Sequence, residues 1–236
     1  MIQLRDVRVV VPAPRQGDPD RVLLDDVNLD LGERRIAVIG ANGSGKSTLL
    51  RLLNGLRTVT SGQVLVDGLD ADKDGKAVRQ KVGFIFTDPL AQLLMSTPVE
   101  DIELSLRGRI RDRKQRTARA HALLEERGIG HVAHQSIYDL SGGERQLVAL
   151  TSVLSIEPAI VVADEPTTLL DLRNKLMLRR VFAELEQQVI FSTHDLDVAL
   201  DAQRVIVVDG GRIIADGEPR ETVDFYARAM ADAVRA

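Results

Sequence analysis

Residues 40–47, Gly-Ala-Asn-Gly-Ser-Gly-Lys-Ser, have the composition and spacing of a phosphate-binding loop. Glycines let backbone N–H groups converge on phosphate oxygens, and a following helix N-terminus adds positive potential. Lys46 can reach the β- and γ-phosphates of a nucleotide, and the Ser47 hydroxyl can ligate Mg²⁺. The apolar strand at 36–39 and the helical pattern from Ser47 argue against a coincidental glycine turn. The predicted nucleotide-binding residues are Gly40, Ala41, Asn42, Gly43, Ser44, Gly45, Lys46, Ser47 and Thr48, with ATP and Mg²⁺ as cofactors.

Two acidic residues follow a short apolar strand further along the chain. Asp164 and Glu165 come directly after residues 160–163, Ile-Val-Val-Ala. Ligands of open α/β sheets sit beyond the carboxyl ends of the strands. Asp164 can therefore hold Mg²⁺ through water, and Glu165 can activate an attacking water. The alternative is an exposed acidic turn that caps the next helix, and the nearby phosphate loop argues against it.

His194 follows another apolar strand, at 189–192. If that strand neighbours the one before Asp164, the imidazole lies at the same edge of the sheet. We expect His194 to sense the γ-phosphate. A helix cap or an internally bonded polar group is the alternative reading of a single histidine.

Residues 140–146, Leu-Ser-Gly-Gly-Glu-Arg-Gln, form a helix start in which a Ser cap precedes Glu by three positions. Alone, this is a common pattern. Lying upstream of the strand that ends at Asp164, it resembles the signature of ATP-binding-cassette (ABC) ATPases. The resemblance extends over residues 2–216 and includes Leu170-Asp171 and His194 in the order of that family.

The resemblance implies a fold and a set of partners. The fold class is α/β: a P-loop NTPase with a mostly parallel central sheet, an N-terminal antiparallel β subdomain and a helical insertion. Two subunits, identical or paralogous, pair head to tail, so that Ser141, Gly142 and Gly143 contact ATP held by the partner; Asp171 also contributes to nucleotide binding. An isolated monomer should hydrolyse ATP poorly. A transmembrane coupling subunit and a substrate-binding membrane subunit would hold the chain at the inner face of the membrane.

The chain departs from the family pattern at two places. Thr87 stands where a Gln usually ends the strand before the insertion, and Gln92 lies five residues later; both are candidate Mg²⁺ ligands. The aromatic residue that normally stacks on adenine is also missing, because Phe84 is the first aromatic of the chain. Residues 9–11 or the Arg15 side chain could replace it. We expect modest selectivity between nucleotide bases.

A local pattern narrows the resemblance. Residues 86–95 read Phe-Thr-Asp-Pro-x-x-Gln-x-x-Met, which resembles the ATPases of energy-coupling-factor importers for vitamins or for cobalt and nickel. The Thr-Asp-Pro tripeptide looks most like the biotin-transport ATPases. The alternatives are an importer of cobalt, nickel or another small solute, an exporter, and an ABC ATPase unconnected with transport.

Alternating strands and helices must position these residues. Strands are predicted at 2–11, 22–31, 35–39, 63–66, 82–86, 160–163, 189–192 and 205–208, and helices at 47–54, over most of 98–155, and at 172–188 and 195–202. We predict one domain, 1–236. It has an α/β nucleotide-binding core at 1–87 and 147–219, a helical subdomain with the signature at 88–146, and a C-terminal helix at 220–236.

Composition excludes several classes. The 236 residues contain no cysteine, which excludes disulfide frameworks and thiolate metal sites. No run approaches the ~18 apolar residues of a membrane span, and the N-terminus lacks a signal-peptide core, so we expect a cytoplasmic protein. A net charge of −4 argues against a nucleic-acid partner. The basic run at 107–119 is either a solvated face or a contact for an anionic partner, and His131 and His134 lack a third metal ligand.

Overall fold

The computed structural model describes residues 1–13, 15 and 19–235. The elements in chain order are β1 (Ile2–Val11), β2 (Arg21–Leu31), β3 (Arg35–Ile39), α1 (Lys46–Leu52), β4 (Ser61–Val66), β5 (Leu69–Asp70), α2 (Gly75–Lys81), β6 (Val82–Ile85), α3 (Pro98–Leu106), α4 (Arg113–Glu126), α5 (Gly142–Leu154), β7 (Ile160–Ala163), α6 (Leu172–Glu184), β8 (Gln188–Ser192), α7 (Leu196–Ala199), β9 (Arg204–Asp209), β10 (Arg212–Gly217) and α8 (Pro219–Arg235). The sequence also predicts an exposed turn at 15–20, of which 16–18 lie outside the described residues.

A six-stranded sheet forms the centre of the fold, in the order β10-β9-β3-β8-β7-β6. Its strands run parallel except for β10, which pairs antiparallel with β9. The predicted mostly parallel sheet is therefore confirmed. Since β3, β8 and β7 are neighbours, the loops that follow them emerge side by side at one edge.

A second sheet, β2-β1-β4-β5, is antiparallel, as predicted for the N-terminal part. Alternate residues of β1 and β2 are buried, as expected for a sheet with one face on the core. The backbone of β2 also reaches the central sheet's end, since the Asp25 N–H donates to the Gly211 carbonyl at 2.9 Å.

Three helices between β6 and β7 surround an apolar cluster of their own. It includes Ile102 of α3, Leu124 of α4 and Val148 of α5. The opposite side of α5 presents Leu150 to the cluster beneath the central sheet. The α5 helix is thus buried on two sides, and it links the helical layer rigidly to the sheet. Within the described part of the chain, no helix combines the length and apolarity needed to cross a bilayer.

Several element boundaries differ from the sequence-based expectation. The helix predicted at 172–188 ends at Glu184. The buried Arg35 guanidinium donates hydrogen bonds to the carbonyls of Leu185 and Gln187, just beyond the helix end. The helix predicted at 195–202 is shortened to 196–199, and the sequence analysis missed β5, α2 and β10. The helix of the signature begins at Gly142, as the predicted Ser141 cap implies, because Ser141 and Glu144 form a capping box there.

Candidate functional site

The loop between β3 and α1 folds tightly and requires glycine at two positions. At Gly40 the backbone φ is 147°, and a β-carbon there would lie 2.1 Å from the Val208 carbonyl oxygen. At Gly45 φ is 117°, and a β-carbon would lie 2.8 Å from the Leu23 carbonyl oxygen. Both φ values lie in the region that favours glycine. The loop is therefore compressed between β9 and β2.

Lys46 curls back over this loop. Its side chain is buried, and its Nζ donates to the carbonyls of Gly40 at 2.8 Å and Ala41 at 3.0 Å. The Ser44 hydroxyl is buried beside it and has no hydrogen-bond partner among the described residues. An oxyanion placed in the loop would supply that partner, and Lys46 would face it. The loop therefore fits a phosphate group.

Asp164 lies beside the first turn of α1. Its carboxylate is only 3% exposed, and Oδ1 accepts from Ser47 Oγ at 2.9 Å and Ser192 Oγ at 2.8 Å. The Thr87 hydroxyl donates to the Asp164 backbone carbonyl at 2.8 Å. The predicted residues Ser47, Thr87 and Asp164 are thus brought together by the ends of α1, β6 and β7.

Glu165 continues the chain in a left-handed conformation, with φ of 47°. Its Oε2 accepts from Thr168 Oγ1 at 3.0 Å and lies 3.3 Å from His194 Nδ1, while Oε1 lies 3.7 Å from Lys46 Nζ. The Glu165 N–H donates to Ser192 Oγ at 2.9 Å. A carboxylate restrained between a lysine and a histidine can accept a proton from a water beside the phosphate loop.

A pocket of about 390 Å³ opens over these groups. Its lining consists of Arg21, Leu23, Asn42, Gly43, Gly45, Lys46, Ser47, Thr48, Thr87 and Glu165. Most of them were predicted from the phosphate loop and the acidic strand end. Arg21 and Leu23 were not, because nothing local in β2 indicates that this strand lies over the loop.

Ser192 is a third residue that sequence reasoning missed. It is fully buried at the end of β8 and bonds both Asp164 and the Glu165 backbone. A polar residue ending an otherwise apolar strand beside the acidic strand was the available signal. Its two bonds hold the acidic pair at the sheet edge.

Mg²⁺ fits the donors at this edge. No group of three or more His, Cys, Asp or Glu side chains suitable for a metal occurs in the described ranges. The Ser47 hydroxyl and the Asp164 carboxylate instead offer two oxygens that lie 2.9 Å apart. Mg²⁺ is commonly held by one or two protein oxygens together with substrate phosphates and water.

The signature residues lie outside this pocket. Ser141 caps α5, its Oγ donates to Glu144 Oε2 at 2.6 Å, and this contact lowers the pKa of the Glu144 carboxyl, with a smaller contribution from His131. Gly143 packs against the Asn174 side chain, where a β-carbon would clash. Asp171 caps α6 by accepting from the Asn174 N–H at 2.8 Å. Ser141 and Asp171 are exposed, so they are available to a second molecule.

Gln92 is not brought to the pocket. Its side chain accepts from the Phe86 N–H at 3.2 Å and donates to the Ala149 carbonyl at 3.1 Å. It thereby ties the chain after β6 to α5. The structure thus places Thr87, but not Gln92, beside Asp164.

Known proteins resemble this chain in sequence. Residues 24–168 match the family described as "ABC transporter". A putative ABC transporter ATP-binding protein of Deinococcus radiodurans is 44% identical over 211 residues, covering 89% of this chain and 93% of the relative. The biotin transport ATP-binding protein BioM of Rhizobium etli is 40% identical over 211 residues (89% and 94%). The energy-coupling factor transporter ATP-binding protein EcfA1 of Symbiobacterium thermophilum is 37% identical over 225 residues (92% and 77%).

Two solved structures share the fold. The dimeric post-hydrolysis state of the ATP-binding cassette MJ0796 bound to ADP and Pi superposes with a TM-score of 0.82 at 29% identity, covering 93% of this chain and 99% of that one. CbiO1 from Clostridium perfringens, part of the ABC transporter complex CbiONQ, gives a TM-score of 0.78 at 27% identity, covering 99% and 92%.

Proposed function

Because the chain belongs to the ABC transporter family and is an ATPase, we propose that it energises an energy-coupling-factor importer, with biotin as the leading solute. The main support is that Lys46 and Glu165 line one pocket, 3.7 Å apart, and that His194 lies 3.3 Å from Glu165. The names of relatives in biotin transport and energy-coupling factors support the importer class. In this proposal the chain sits at the inner face of the membrane through its partners.

Two subunits, identical or paralogous, complete each site. Ser141, Gly143 and Asp171 lie outside the pocket that contains Lys46, so one chain presents two separate half-sites. In a head-to-tail pair, Ser141 and the N-terminus of α5 face the phosphates bound by the partner, where backbone N–H groups and the helix dipole favour negative charge. The dimeric cassette among the structural neighbours supports this arrangement.

Within one half-site each residue has a separate role in ATP hydrolysis. Lys46 exchanges its contacts with the loop carbonyls for the terminal phosphates of ATP, and Glu165 takes a proton from the attacking water. His194 orients Glu165 and contacts the γ-phosphate. Ser47 and Asp164 would hold Mg²⁺, which would supply positive charge beside the phosphate oxygens.

A groove on the other side of β6 suits a transmembrane partner. It has a volume of about 400 Å³ and is lined in part by Leu56, Phe84, Phe86 and Leu104, with Leu94 at its rim 76% exposed. Buried Asp101 holds the rim loop by accepting from the Leu94 N–H at 2.8 Å. An apolar segment of the membrane subunit would bury these side chains, and Gln92 and α5 would connect its movement to the nucleotide sites.

The two-chain site is tested with Glu165→Gln, which removes the proton acceptor and keeps the side-chain shape. We expect ATP hydrolysis to fall by about a hundredfold or more and ATP to trap a dimer, measured by size-exclusion chromatography with light scattering. Glu184→Gln, at an exposed glutamate of α6, is the matched control and should behave as the unaltered chain. Hydrolysis at the parental rate in Glu165→Gln would show that Glu165 is not the base.

The importer assignment is tested by uptake of labelled biotin in cells that lack the gene. The unaltered chain should restore uptake, whereas Glu165→Gln should not. Purified without membrane subunits, Leu94→Glu should hydrolyse ATP at the rate of the unaltered chain. It should nevertheless fail to restore uptake, because its groove no longer accepts an apolar segment. Restored uptake of cobalt or nickel, but not biotin, would point to the alternative solutes. Normal import by cells without the gene would contradict a role in transport.

A further inference from the structure

Strand β2 lies directly on the phosphate loop. The Leu23 carbonyl oxygen is so close to Gly45 and to Gly211 that a β-carbon at either glycine would lie 2.8 Å from it. The Gly211 N–H in turn donates to the Ser44 carbonyl at 2.8 Å. These contacts fix the height of Leu23 above the loop and therefore the position of the residues that precede it on the strand.

Arg21 lies two residues before Leu23, at the start of β2, where it pairs with Val11 of β1. Residues i and i+2 of a strand share one face and are about 7 Å apart. Arg21 therefore stands on the same face as Leu23, about 7 Å along the strand from the residue that contacts the phosphate loop. Both side chains line the pocket that contains Lys46.

Aromatic side chains are placed elsewhere. Phe84 and Phe86 pack against each other, tilted by 58°, at a centroid distance of 4.8 Å on the groove side of β6, and Phe182 packs near Phe191 at 6.3 Å. The remaining three aromatics are Tyr138, which is exposed before α5, and Phe225 and Tyr226 of α8. None of these seven side chains lines the pocket over the phosphate loop.

The substitutes suggested by sequence are less well placed than Arg21. Val9 is buried, and with Val10 it lines a different pocket beside residues 55–60. Arg15 is exposed and does not line the pocket of Lys46. Arg21 is exposed at the pocket mouth, and within the described residues its guanidinium makes no hydrogen bond or ion pair.

We propose that Arg21 is the platform for the nucleotide base, which its planar guanidinium and aliphatic stem cover in place of an aromatic ring. Guanidinium planes stack on π-faces, and every purine has such a face. Stacking does not read the base edges, so adenine and guanine nucleotides bind with affinities within about tenfold of each other. This inference rests on the proposed nucleotide site at residues 40–48.

The test compares ligands with and without a base. Dissociation constants for ADP, GDP and inorganic pyrophosphate are measured by titration calorimetry on the full chain, since none of these ligands requires turnover. Arg21→Ala should weaken the binding of ADP and GDP by about 3- to 30-fold and the binding of pyrophosphate by less than about twofold.

Arg21→Lys, which keeps the positive charge and loses the planar group, should resemble Arg21→Ala. Arg21→Tyr should restore ADP binding. Arg107→Ala, at an exposed arginine of the α3 end, is the matched control and should change nothing.

Three results would overturn the proposal. If Arg21→Ala weakens pyrophosphate as much as ADP, Arg21 is a phosphate cation and not a base platform. If ADP and GDP bind Arg21→Ala as tightly as the unaltered chain, Arg21 does not touch the base. If the unaltered chain binds neither ADP nor pyrophosphate, the proposed nucleotide site itself fails, a result distinct from the first two.

Discussion

Ser192→Ala removes a hydroxyl that bonds two functional groups at once. Ser192 is fully buried, donates to the Asp164 carboxylate at 2.8 Å and accepts from the Glu165 N–H at 2.9 Å. A bond to a charged group contributes about 1.5–3 kcal/mol, and a buried N–H left without a partner costs about 1–3 kcal/mol. Because Asp164 keeps its bond from Ser47, we expect the free energy of unfolding to fall by about 2–4 kcal/mol.

Ser155→Ala is the matched control. Ser155 is also buried, but its hydroxyl makes one bond, to the Ser152 carbonyl at 2.7 Å at the end of α5. Its loss should cost about 1 kcal/mol and leave ATP hydrolysis unchanged. In the Ser192 variant the acidic pair is held less well, which should raise the activation free energy of hydrolysis. Each 1.4 kcal/mol of that increase should slow ATP hydrolysis per folded molecule about tenfold.

Urea unfolding followed by far-UV circular dichroism measures the stability difference, since the chain has no tryptophan for fluorescence. Equal m values would show that the two variants expose the same amount of surface when they unfold. If Ser192→Ala loses no more stability and no more activity than Ser155→Ala, the two hydrogen bonds do not hold the acidic pair.

Two further predictions concern side chains of the helical layer. The pKa of Glu144 lies below its usual range, because Ser141 donates two hydrogen bonds to the carboxylate. Glu144→Gln should therefore lower the free energy of unfolding at pH 7 by less than about 1 kcal/mol, and the difference should shrink progressively as pH falls below the ordinary glutamate pKa of 4.5; a difference as large at pH 3 as at pH 7 in urea titrations would contradict this. Gln92→Ala removes the side-chain acceptor of the Phe86 N–H and the side-chain donor to the Ala149 carbonyl. It should lower the urea midpoint while ATP hydrolysis per folded molecule stays within about threefold, because the lost bonds are structural; a larger loss would support a role of Gln92 at the metal.

The sequence predicted what depends on local pattern. The phosphate loop at residues 40–47 can be recognised without any distant contact, because its glycines, its lysine and the start of the helix are adjacent in the sequence. The parallel sheet followed from alternating strands and helices, and the cap at Ser141 from the Glu three residues later. The loop and the cap rest on contacts between residues close in the chain, and the sheet was inferred from the alternation of neighbouring elements.

Contacts between distant parts of the chain were beyond such reasoning. Arg35 ends α6 through carbonyls about 150 residues away, and Ser192 reaches Asp164 from the next strand. The position of Arg21 depends on how the antiparallel sheet that contains β2 packs against the phosphate loop of the central sheet. No local periodicity encodes these approaches, so the helix end, the support of the acidic pair and the pocket wall emerged only in three dimensions.

The left-handed backbone at Glu165 has a consequence for laboratory evolution. A non-glycine residue with φ of 47° carries a conformational cost of about 1–2 kcal/mol that glycine does not. Replacement by glycine would relieve that cost and delete the proton acceptor in the same step. Selection for heat resistance alone would thus favour an inert protein, and a thermostable, working variant emerges only if turnover is selected alongside. At this position robustness and catalysis are opposing demands on a single side chain.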